Sequence, residues 1–220
     1  WIADISHELR TPVSILKGEL EAMVDGVRPL DQQQLGSLRA EVERLAKLIE
    51  DLFQLSLADL GGLRYEFWPL DFAALVSRVC GDYERRFGEQ GLRLVQDLPD
   101  VCELRGDAQR LEQLLRNLLE NSLAYTDSPG EVHVGLRCED GLARLLLRDT
   151  APGVEAQLCE QLFDPLYRQD SSRNRRSAGA GLGLAIARAV VDAHDGKIRA
   201  TPSDIGGLAV EVELPLQDKR

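Results

Sequence analysis

The stretch Ser6-His7-Glu8-Leu9-Arg10-Thr11-Pro12 lies inside a segment whose apolar residues recur at helical spacing. Those residues are Ile2, Ile5, Leu9, Pro12, Leu16 and Met23. Separations of three, four, three, four and then seven residues predict a helix that packs one apolar face against a partner helix. His7 is two residues from Ile5 and two from Leu9. Two helical steps turn by about 200°, so the imidazole is predicted to point away from the packed face into solvent.

A second helical pattern follows the break at Gly26 and Pro29, and Asp31 is expected to cap it. Its apolar positions again recur every three or four residues: Leu35, Leu38, Val42, Leu45, Ile49 and Leu52. Two helices alone cannot shield both apolar faces, so we predict that two chains pair as a dimeric four-helix bundle. The alternative is a hairpin within one chain that leans on the rest of the protein.

Gly61-Gly62 is a predicted hinge, and strands and helices mix beyond it. Strands are expected at 92–96, 131–138, 143–148, 197–200 and 208–214, and helices at 71–88, from Asp107 onward, and at 181–193. This mixture predicts an α/β sandwich, one sheet with helices on one face. The fold class is therefore α+β, with a helical domain at 1–60 and a second domain at 61–220.

Composition narrows the range of partners. Acidic residues number 37 against 26 basic ones, a net charge of −11, which argues against a nucleic-acid partner because phosphate neutralisation needs a basic surface. The four cysteines include no close pair and are predicted to be small buried residues in a reducing compartment. No apolar run is long enough to span a bilayer. Since the first residues already read as the inside of a helix, we expect the chain to belong to a longer protein.

The stretch from Ser6 to Pro12 resembles the H-box of bacterial sensor histidine kinases. That resemblance implies that His7 accepts the γ-phosphate of ATP, that Glu8 assists as a base, and that Thr11 positions water when a phosphorylated partner is hydrolysed. On its residues alone, His7 is also compatible with an ordinary surface histidine.

A pair of asparagines, Asn117 and Asn121, lies one helical turn apart at the edge of a leucine-rich helix face. Together with Tyr125 they resemble the N-box of the same family. The resemblance implies that Asn121, helped by Asn117, coordinates Mg²⁺, a cation that prefers oxygen ligands. It also places Tyr125 near the base or ribose. Without the resemblance, paired asparagines are typical of a solvated helix face.

Two glycine-containing segments complete the resemblance. Asp149, followed by Thr150-Ala151-Pro152-Gly153, is similar to the first glycine box, which implies that Asp149 accepts a hydrogen bond from the adenine amino group and that Gly153 borders the nucleotide. Ala151 stands where the family usually has glycine. The second segment, Gly179-Ala180-Gly181-Leu182-Gly183-Leu184, opens a predicted helix whose backbone amides suit phosphate. The implied phosphate-binding residues are Gly179, Gly181, Leu182, Gly183 and Leu184.

A polar stretch between the two boxes, from Phe163 to Gly181, is predicted to be a long loop. Its start resembles the family's F-box, with Leu166 in place of the usual phenylalanine, so the loop is expected to be an ATP lid. We expect one or two of its arginines to touch the phosphates; the candidates are Arg168, Arg173, Arg175 and Arg176.

The resemblance extends along the whole chain and implies a function. The fold expected from it is a dimerising helical hairpin and an ATP-binding domain of the gyrase, Hsp90 and histidine kinase type. With ATP and Mg²⁺, a homodimer would phosphorylate His7 and then an aspartate of an OmpR-like response regulator, and dephosphorylate that regulator. The full-length protein would be anchored in the bacterial inner membrane with this part in the cytoplasm. Two rival interpretations are a gyrase-like ATPase without a histidine step, and a scaffold that binds nucleotide only as a switch.

Overall fold

The computed structural model describes residues 2–29, 31–59, 62, 64–168 and 180–216. The chain separates into two compact units, Trp1–Gly61 and Gly62–Arg220. None of the helices within these ranges is both long and apolar enough to cross a membrane.

The first unit is a hairpin of two helices, α1 (Ile2–Val24) and α2 (Gln32–Asp59). Gly26 takes a positive φ of 70° in the turn between them, a conformation that glycine adopts without strain. The predicted cap of α2 is confirmed, because the Asp31 carboxylate accepts a hydrogen bond of 2.9 Å from the N–H of Gln34. The α1 helix continues through Pro12, whose side chain is buried.

The apolar residues of α2 divide into two lines. Leu48, Leu52 and Leu55 are buried, whereas the side chains of Leu35, Val42 and Ile49 are 50%, 53% and 53% exposed. The apolar stripe predicted from Leu35 to Leu52 therefore contains residues of both lines. Leu52 is covered, whereas Leu35, Val42 and Ile49 are open. On α1, Val13, Leu20 and Val24 are also exposed. Each helix of the hairpin thus leaves apolar surface uncovered.

The second unit contains a five-stranded sheet in the order β2-β4-β5-β7-β6 and a separate two-stranded sheet of β1 and β3. β2 pairs with β4 in parallel, and the other pairs are antiparallel. The strands are β1 (Trp68–Asp71), β2 (Leu92–Asp97), β3 (Glu103–Gly106), β4 (Gly130–Glu139), β5 (Leu142–Thr150), β6 (Lys197–Pro202) and β7 (Gly206–Pro215). The helices are α3 (Phe72–Glu89), α4 (Ala108–Tyr125) and α5 (Gly183–Ala193), with short 3-10 turns at Ala156–Leu158 and Glu160–Phe163.

This arrangement confirms the predicted α/β domain after a helical hairpin and adds two strands, β1 and β3, that the sequence pattern did not indicate. Two aspartates begin its longer helices: Asp71 caps α3 and Asp107 caps α4. The Asp107 carboxylate accepts from the N–H groups of Gln109 and Arg110 at 3.0 and 3.1 Å. Its second oxygen accepts from the Glu66 N–H at 3.0 Å, which ties the segment before β1 to the start of α4.

The core forms where α4 covers one face of the sheet. The leucine face of α4 is buried along its length, at Leu111, Leu114, Leu115, Leu118 and Leu119. On β5, every second residue is buried: Ala143, Leu145, Leu147 and Asp149. Because alternate residues of a strand point to the same face, Asp149 continues the line of core residues. A carboxylate therefore occupies the last buried position of a strand.

Two of the four cysteines form a disulfide, which the sequence analysis did not predict. Cys80 and Cys159 are buried free thiols, as expected of small core residues. Cys102 and Cys138 instead form a disulfide, with their Cα atoms 6.1 Å apart across a sequence separation of 36 residues. The sequence spacing gave no sign of this pair because the contact joins the segment before β3 to the far end of β4.

His194 at the end of α5 is buried, with 4% of its surface exposed. Its Nδ1 donates to the Val190 carbonyl at 2.8 Å, and its Nε2 accepts from the Asp107 N–H at 3.0 Å. These partners require the neutral ring, and burial lowers the pKa of His194. His194 therefore places no positive charge at the end of α5.

Candidate functional site

His7 lies on the exposed side of α1. The Thr11 hydroxyl, one turn further along, donates to the His7 carbonyl at 3.2 Å, and Glu8 beside it is half-buried. The imidazole is therefore open to solvent, as the helical spacing predicted. His7, Glu8 and Thr11 occupy one turn of one helix.

Asn117 and Asn121 lie at the rim of the buried face of α4, where both are half-buried. The amide nitrogen Nδ2 of Asn117 is buried and has no hydrogen-bond partner among the residues described. A Cβ built on Gly183 would lie 3.8 Å from Asn117 Cβ, so the start of α5 lies against this rim. The structure thus brings Asn117 next to the predicted phosphate-binding helix start.

Asp149 faces α4 from β5 and is 4% exposed. Its Oδ2 accepts from the Ser122 hydroxyl at 2.7 Å, and its Oδ1 accepts from the Leu208 N–H at 2.7 Å. Burial raises the pKa of Asp149, while the hydrogen bonds from Leu208 and Ser122 oppose that rise. The Asp149 carboxylate is therefore a buried acceptor with one donor hydrogen-bonded to each of its oxygens.

Sequence reasoning missed three residues around this carboxylate. Ser122 and Leu208 supply the donors, and Gly207 packs so closely that a Cβ there would collide with Asp149 Oδ1. Gly206-Gly207 was the available signal, since adjacent glycines mark a close backbone approach. The Ser122 signal was a single small polar residue on an otherwise leucine-rich helix face.

Gly153 lies beyond the end of β5, where a Cβ would come 2.9 Å from the Gly206 carbonyl oxygen. This close approach explains glycine at that position. Ala151, which stands where the family usually has glycine, accepts a hydrogen bond of 2.9 Å from the Asp127 N–H through its carbonyl. Tyr125 ends α4 with its side chain 42% exposed.

The N-terminus of α5 begins at Gly183, and its N-cap residue Leu182 makes no side-chain capping bond. First-turn N–H groups without a capping side chain, together with the helix dipole, favour an anion. Gly181 has a φ of 73°, and a Cβ on it would come 2.9 Å from the Tyr167 carbonyl oxygen. The Gly181 carbonyl accepts from the Leu166 N–H at 3.0 Å, which joins the two ends of the predicted lid.

Arg168, at the start of the predicted lid, has two buried nitrogens, Nε and Nη2, that find no hydrogen-bond partner within the described ranges. Buried donors normally have partners, so these orphaned atoms and Asn117 Nδ2 fit an anionic ligand such as a phosphate chain. Gly179 and the other candidate arginines, Arg173, Arg175 and Arg176, lie outside the described residues.

No cluster of three or more histidine, cysteine, aspartate or glutamate residues arranged for a metal ion occurs in the described part of the chain. A cation at the α4 rim would instead have amide oxygens and the oxygens of a bound ligand around it. That donor set fits Mg²⁺, which usually keeps several waters and phosphate oxygens in its shell.

Two family models match the chain. Residues 106–218 match the histidine kinase-, DNA gyrase B- and HSP90-like ATPases, and residues 1–61 match the His Kinase A (phospho-acceptor) domain. The chain belongs to the histidine kinase family of these ATPases and is the core of a sensor histidine kinase. The family resemblance seen in the sequence is thus confirmed.

The similarity extends to individual members. The chain is 48% identical over 217 residues to the signal transduction histidine-protein kinase BaeS of Escherichia coli, a match that covers 99% of this chain and 46% of BaeS. A further motif-level resemblance to BaeS, in Ser6–Pro12, Glu120-Asn121-Ser122 and Asp149–Val154, agrees with this match. The chain spans about half the length, or less, of the curated relatives it matches.

Solved structures agree with the fold. The histidine kinase AdeS of Acinetobacter baumannii superposes with a TM-score of 0.82 at 30% identity, covering 96% of this chain and 98% of AdeS. Full-length ShkA, solved in complex with AMPPNP, has a TM-score of 0.70 at 27% identity, covering 97% of this chain and 45% of ShkA. These matches confirm the helical hairpin and the α/β ATPase-type domain.

Proposed function

We propose that this chain moves the γ-phosphate of ATP onto His7 and then onto an aspartate of a response regulator. The observation that carries the proposal is an exposed imidazole in a phospho-acceptor domain that shares its chain with an ATPase-type domain. An ATPase without a histidine step has no use for the first of these two parts.

In the nucleotide site, Asp149 accepts a hydrogen bond from the adenine amino group. Guanine carries a carbonyl at that position and would leave the buried carboxylate unpaired. Tyr125 borders the base or ribose, and Gly153 borders the nucleotide beyond β5. The complex of ShkA with AMPPNP supports an adenine nucleotide as the ligand.

The phosphates lie against the N-terminus of α5, where Gly181, Leu182, Gly183 and Leu184 contribute backbone amides. Gly179 is assigned to the same group through its sequence motif. The orphaned nitrogens of Arg168 support a phosphate contact from the lid.

Asn121, together with Asn117, would hold Mg²⁺ through amide oxygens. When bound, the cation would neutralise part of the phosphate charge. The adjacency of Asn117 and Gly183 supports this assignment, because it brings the amide rim next to the helix start that receives the phosphates.

The phosphoryl step forms one bond and breaks one. A ring nitrogen of His7 attacks the γ-phosphorus, the bond from that phosphorus to the bridging oxygen breaks, and ADP leaves. Glu8 accepts the imidazole proton, as a carboxylate at the neighbouring position can. Phosphoryl transfer depends mainly on positioning and charge stabilisation, so Glu8 adjusts the rate and the nucleotide site determines whether transfer occurs. A regulator aspartate then takes the phosphoryl group, and Thr11 orients the water that later hydrolyses the phosphorylated regulator.

Histidine kinases dimerise and pair with response regulators, and we infer a homodimer here. Val13 and Leu20 on α1, with Leu35, Val42 and Ile49 on α2, leave apolar lines open on the hairpin. A second copy would cover them in a four-helix bundle. We further infer an OmpR-like regulator as partner, and a full-length protein anchored in the inner membrane with this core in the cytoplasm, as the family resemblance of the sequence implies.

Label transfer from γ-radiolabelled ATP in the presence of Mg²⁺ tests this proposal. We expect label on the protein that is labile in acid and stable in alkali, and absent from His7→Gln. Asp149→Asn, which keeps the shape but not the charge, should also remain unlabelled because it no longer binds ATP. ATP hydrolysis without protein label would instead favour a gyrase-like ATPase. Regulator phosphorylation that persists in His7→Gln would favour a scaffold.

A further inference from the structure

Ser122 lies on α4 directly after Asn121, and its side chain is 0% exposed. A serine inside a helix commonly bonds the carbonyl one turn back. Ser122 instead reaches across to β5, where its hydroxyl donates to Asp149 Oδ2 at 2.7 Å over a sequence separation of 27 residues. The contact therefore joins the helix that carries the candidate Mg²⁺ asparagines to the strand that carries the candidate adenine acceptor.

Two hydrogen bonds hold the Asp149 carboxylate in place and leave acceptor positions open for a ligand. An ionised carboxyl group has about four lone-pair positions. Ser122 takes one on Oδ2 and the Leu208 N–H takes one on Oδ1. One donor on each oxygen holds the plane of the group, and acceptor positions remain for a ligand.

The protonation state of Asp149 matters to that ligand. An amino group is a donor, and an ionised carboxylate offers it two acceptor oxygens, whereas a protonated carboxyl replaces part of that acceptor capacity with an O–H donor. Burial favours the protonated form, and donors favour the ionised form. No charged side chain in the described ranges contributes to the pKa shift of Asp149; the opposing contributions come from Leu208 and Ser122. The Ser122 hydroxyl is the one of these two that a substitution can remove.

We propose that Ser122 is a positioning residue for nucleotide recognition, which keeps Asp149 ionised and oriented to accept from the adenine amino group. The inference rests on the proposed adenine contact of Asp149. It deepens that contact by assigning two of its properties to the Ser122 hydroxyl. These are the orientation of the Asp149 carboxylate and the lowest pH at which that carboxylate stays ionised. Ser122 touches no nucleotide atom in this scheme and acts through Asp149 alone.

The test measures the dissociation constant of ATP·Mg²⁺ by calorimetry across a pH series, for the wild type and for Ser122→Ala. The ratio of the two constants cancels the titration of the nucleotide phosphates. Removing the Ser122 donor raises the pKa of the Asp149 carboxyl further, because the effect of burial is then opposed by the Leu208 N–H alone. We therefore expect a ratio within about two-fold on the alkaline plateau that grows to about ten-fold at the acid end. In Ser122→Ala, the preference for ATP over GTP, measured as the ratio of their dissociation constants, should decrease over the same acidic range.

Leu136→Val is the matched control, because Leu136 is a fully buried residue on β4. This variant should lower thermal stability while leaving the pH profile of binding unchanged. A Ser122→Ala ratio that is constant across pH, whether at one or at a larger value, would mean that the hydroxyl serves only packing and would overturn the inference.

Asp149→Asn separates this inference from the proposed function. If that variant binds ATP like the wild type at every pH, the adenine role of Asp149 fails and the Ser122 inference fails with it. If Asp149→Asn loses binding while Ser122→Ala keeps the wild-type profile, the role of Asp149 stands and only the role of Ser122 is refuted.

Discussion

The disulfide between Cys102 and Cys138 allows a quantitative prediction about the stability of the second unit. The bond joins residues separated by 36 positions, a segment that includes β3 and all of α4. In the chain-entropy description, closing a loop of that length stabilises the folded state by about 4 kcal/mol at 25 °C. Cys138→Ser removes the bond at its more exposed end, since Cys102 is buried and Cys138 is half-buried.

For a unit of this size, about 4 kcal/mol corresponds to a decrease in Tm of about 10 °C. The assay is thermal unfolding followed by circular dichroism, with and without a thiol reductant. We expect the reductant to lower the Tm of the wild type to that of Cys138→Ser and to leave the variant unchanged. Both proteins retain the free thiols Cys80 and Cys159, and Cys138→Ser also frees Cys102, so an effect of reductant on the variant would point to one of these three thiols. Equal Tm values for oxidised wild type and variant would refute the reasoning.

Three further predictions concern other parts of the molecule. Val42→Asp places a charge in the open apolar line of α2 and should convert the dimer to a monomer, as measured by light scattering. The control Lys47→Glu, at an exposed position of the same helix, should remain a dimer. A dimeric Val42→Asp would contradict the four-helix bundle. Gly207→Ala drives a Cβ into Asp149 Oδ1 and into the backbone oxygens of Asp149 and Thr150, so it should displace the end of β5 and weaken ATP binding, measured by calorimetry, by at least about ten-fold; wild-type affinity would show that these contacts are tolerated. The depressed pKa of His194 predicts a free energy of unfolding that is steady above about pH 6.5 and decreases as the pH falls below it; in urea titrations His194→Gln should lose part of that pH dependence, and an identical dependence would contradict it.

Local patterns in the sequence were sufficient for the helices and most of the sheet. The leucine spacing of α4 and the alternation of β4 and β5 each repeat over several residues, so neighbouring positions reinforce one another. The exposure of His7 followed from its angular distance to Ile5 and Leu9. The β1 and β3 strands have four residues each, and β1 contains Pro69, which hides a strand because proline cannot donate to a ladder.

Contacts between distant parts of the chain could not be read from those patterns. The Ser122–Asp149 bond spans 27 residues and the Cys102–Cys138 bond spans 36. Each depends on which strands become neighbours in the sheet, and that is decided by tertiary packing. The buried state of His194 has the same origin, because its partner Asp107 is 87 residues away. The division of the α2 apolar residues into a covered and an open line also required the three-dimensional hairpin.

The resemblance to histidine kinases was needed for the roles of the site residues. Asn117 and Asn121 alone are compatible with a solvated helix face. Both are half-buried, and the position of Asn117 against Gly183 supports a ligand-facing role for this rim. The orphaned nitrogens of Arg168 add support that the sequence could not provide.

Phosphorylation of the His7 imidazole on α1 is tested most directly by peptide mapping with mass spectrometry. The protein is first incubated with ATP and Mg²⁺, and every step is kept above neutral pH to preserve a phosphoramidate. We predict the added mass of one phosphoryl group on the peptide that contains His7, with fragment ions that assign it to the histidine. Phosphate on a serine, threonine or other residue, or an unmodified His7 peptide from a protein that has consumed ATP, would contradict the account.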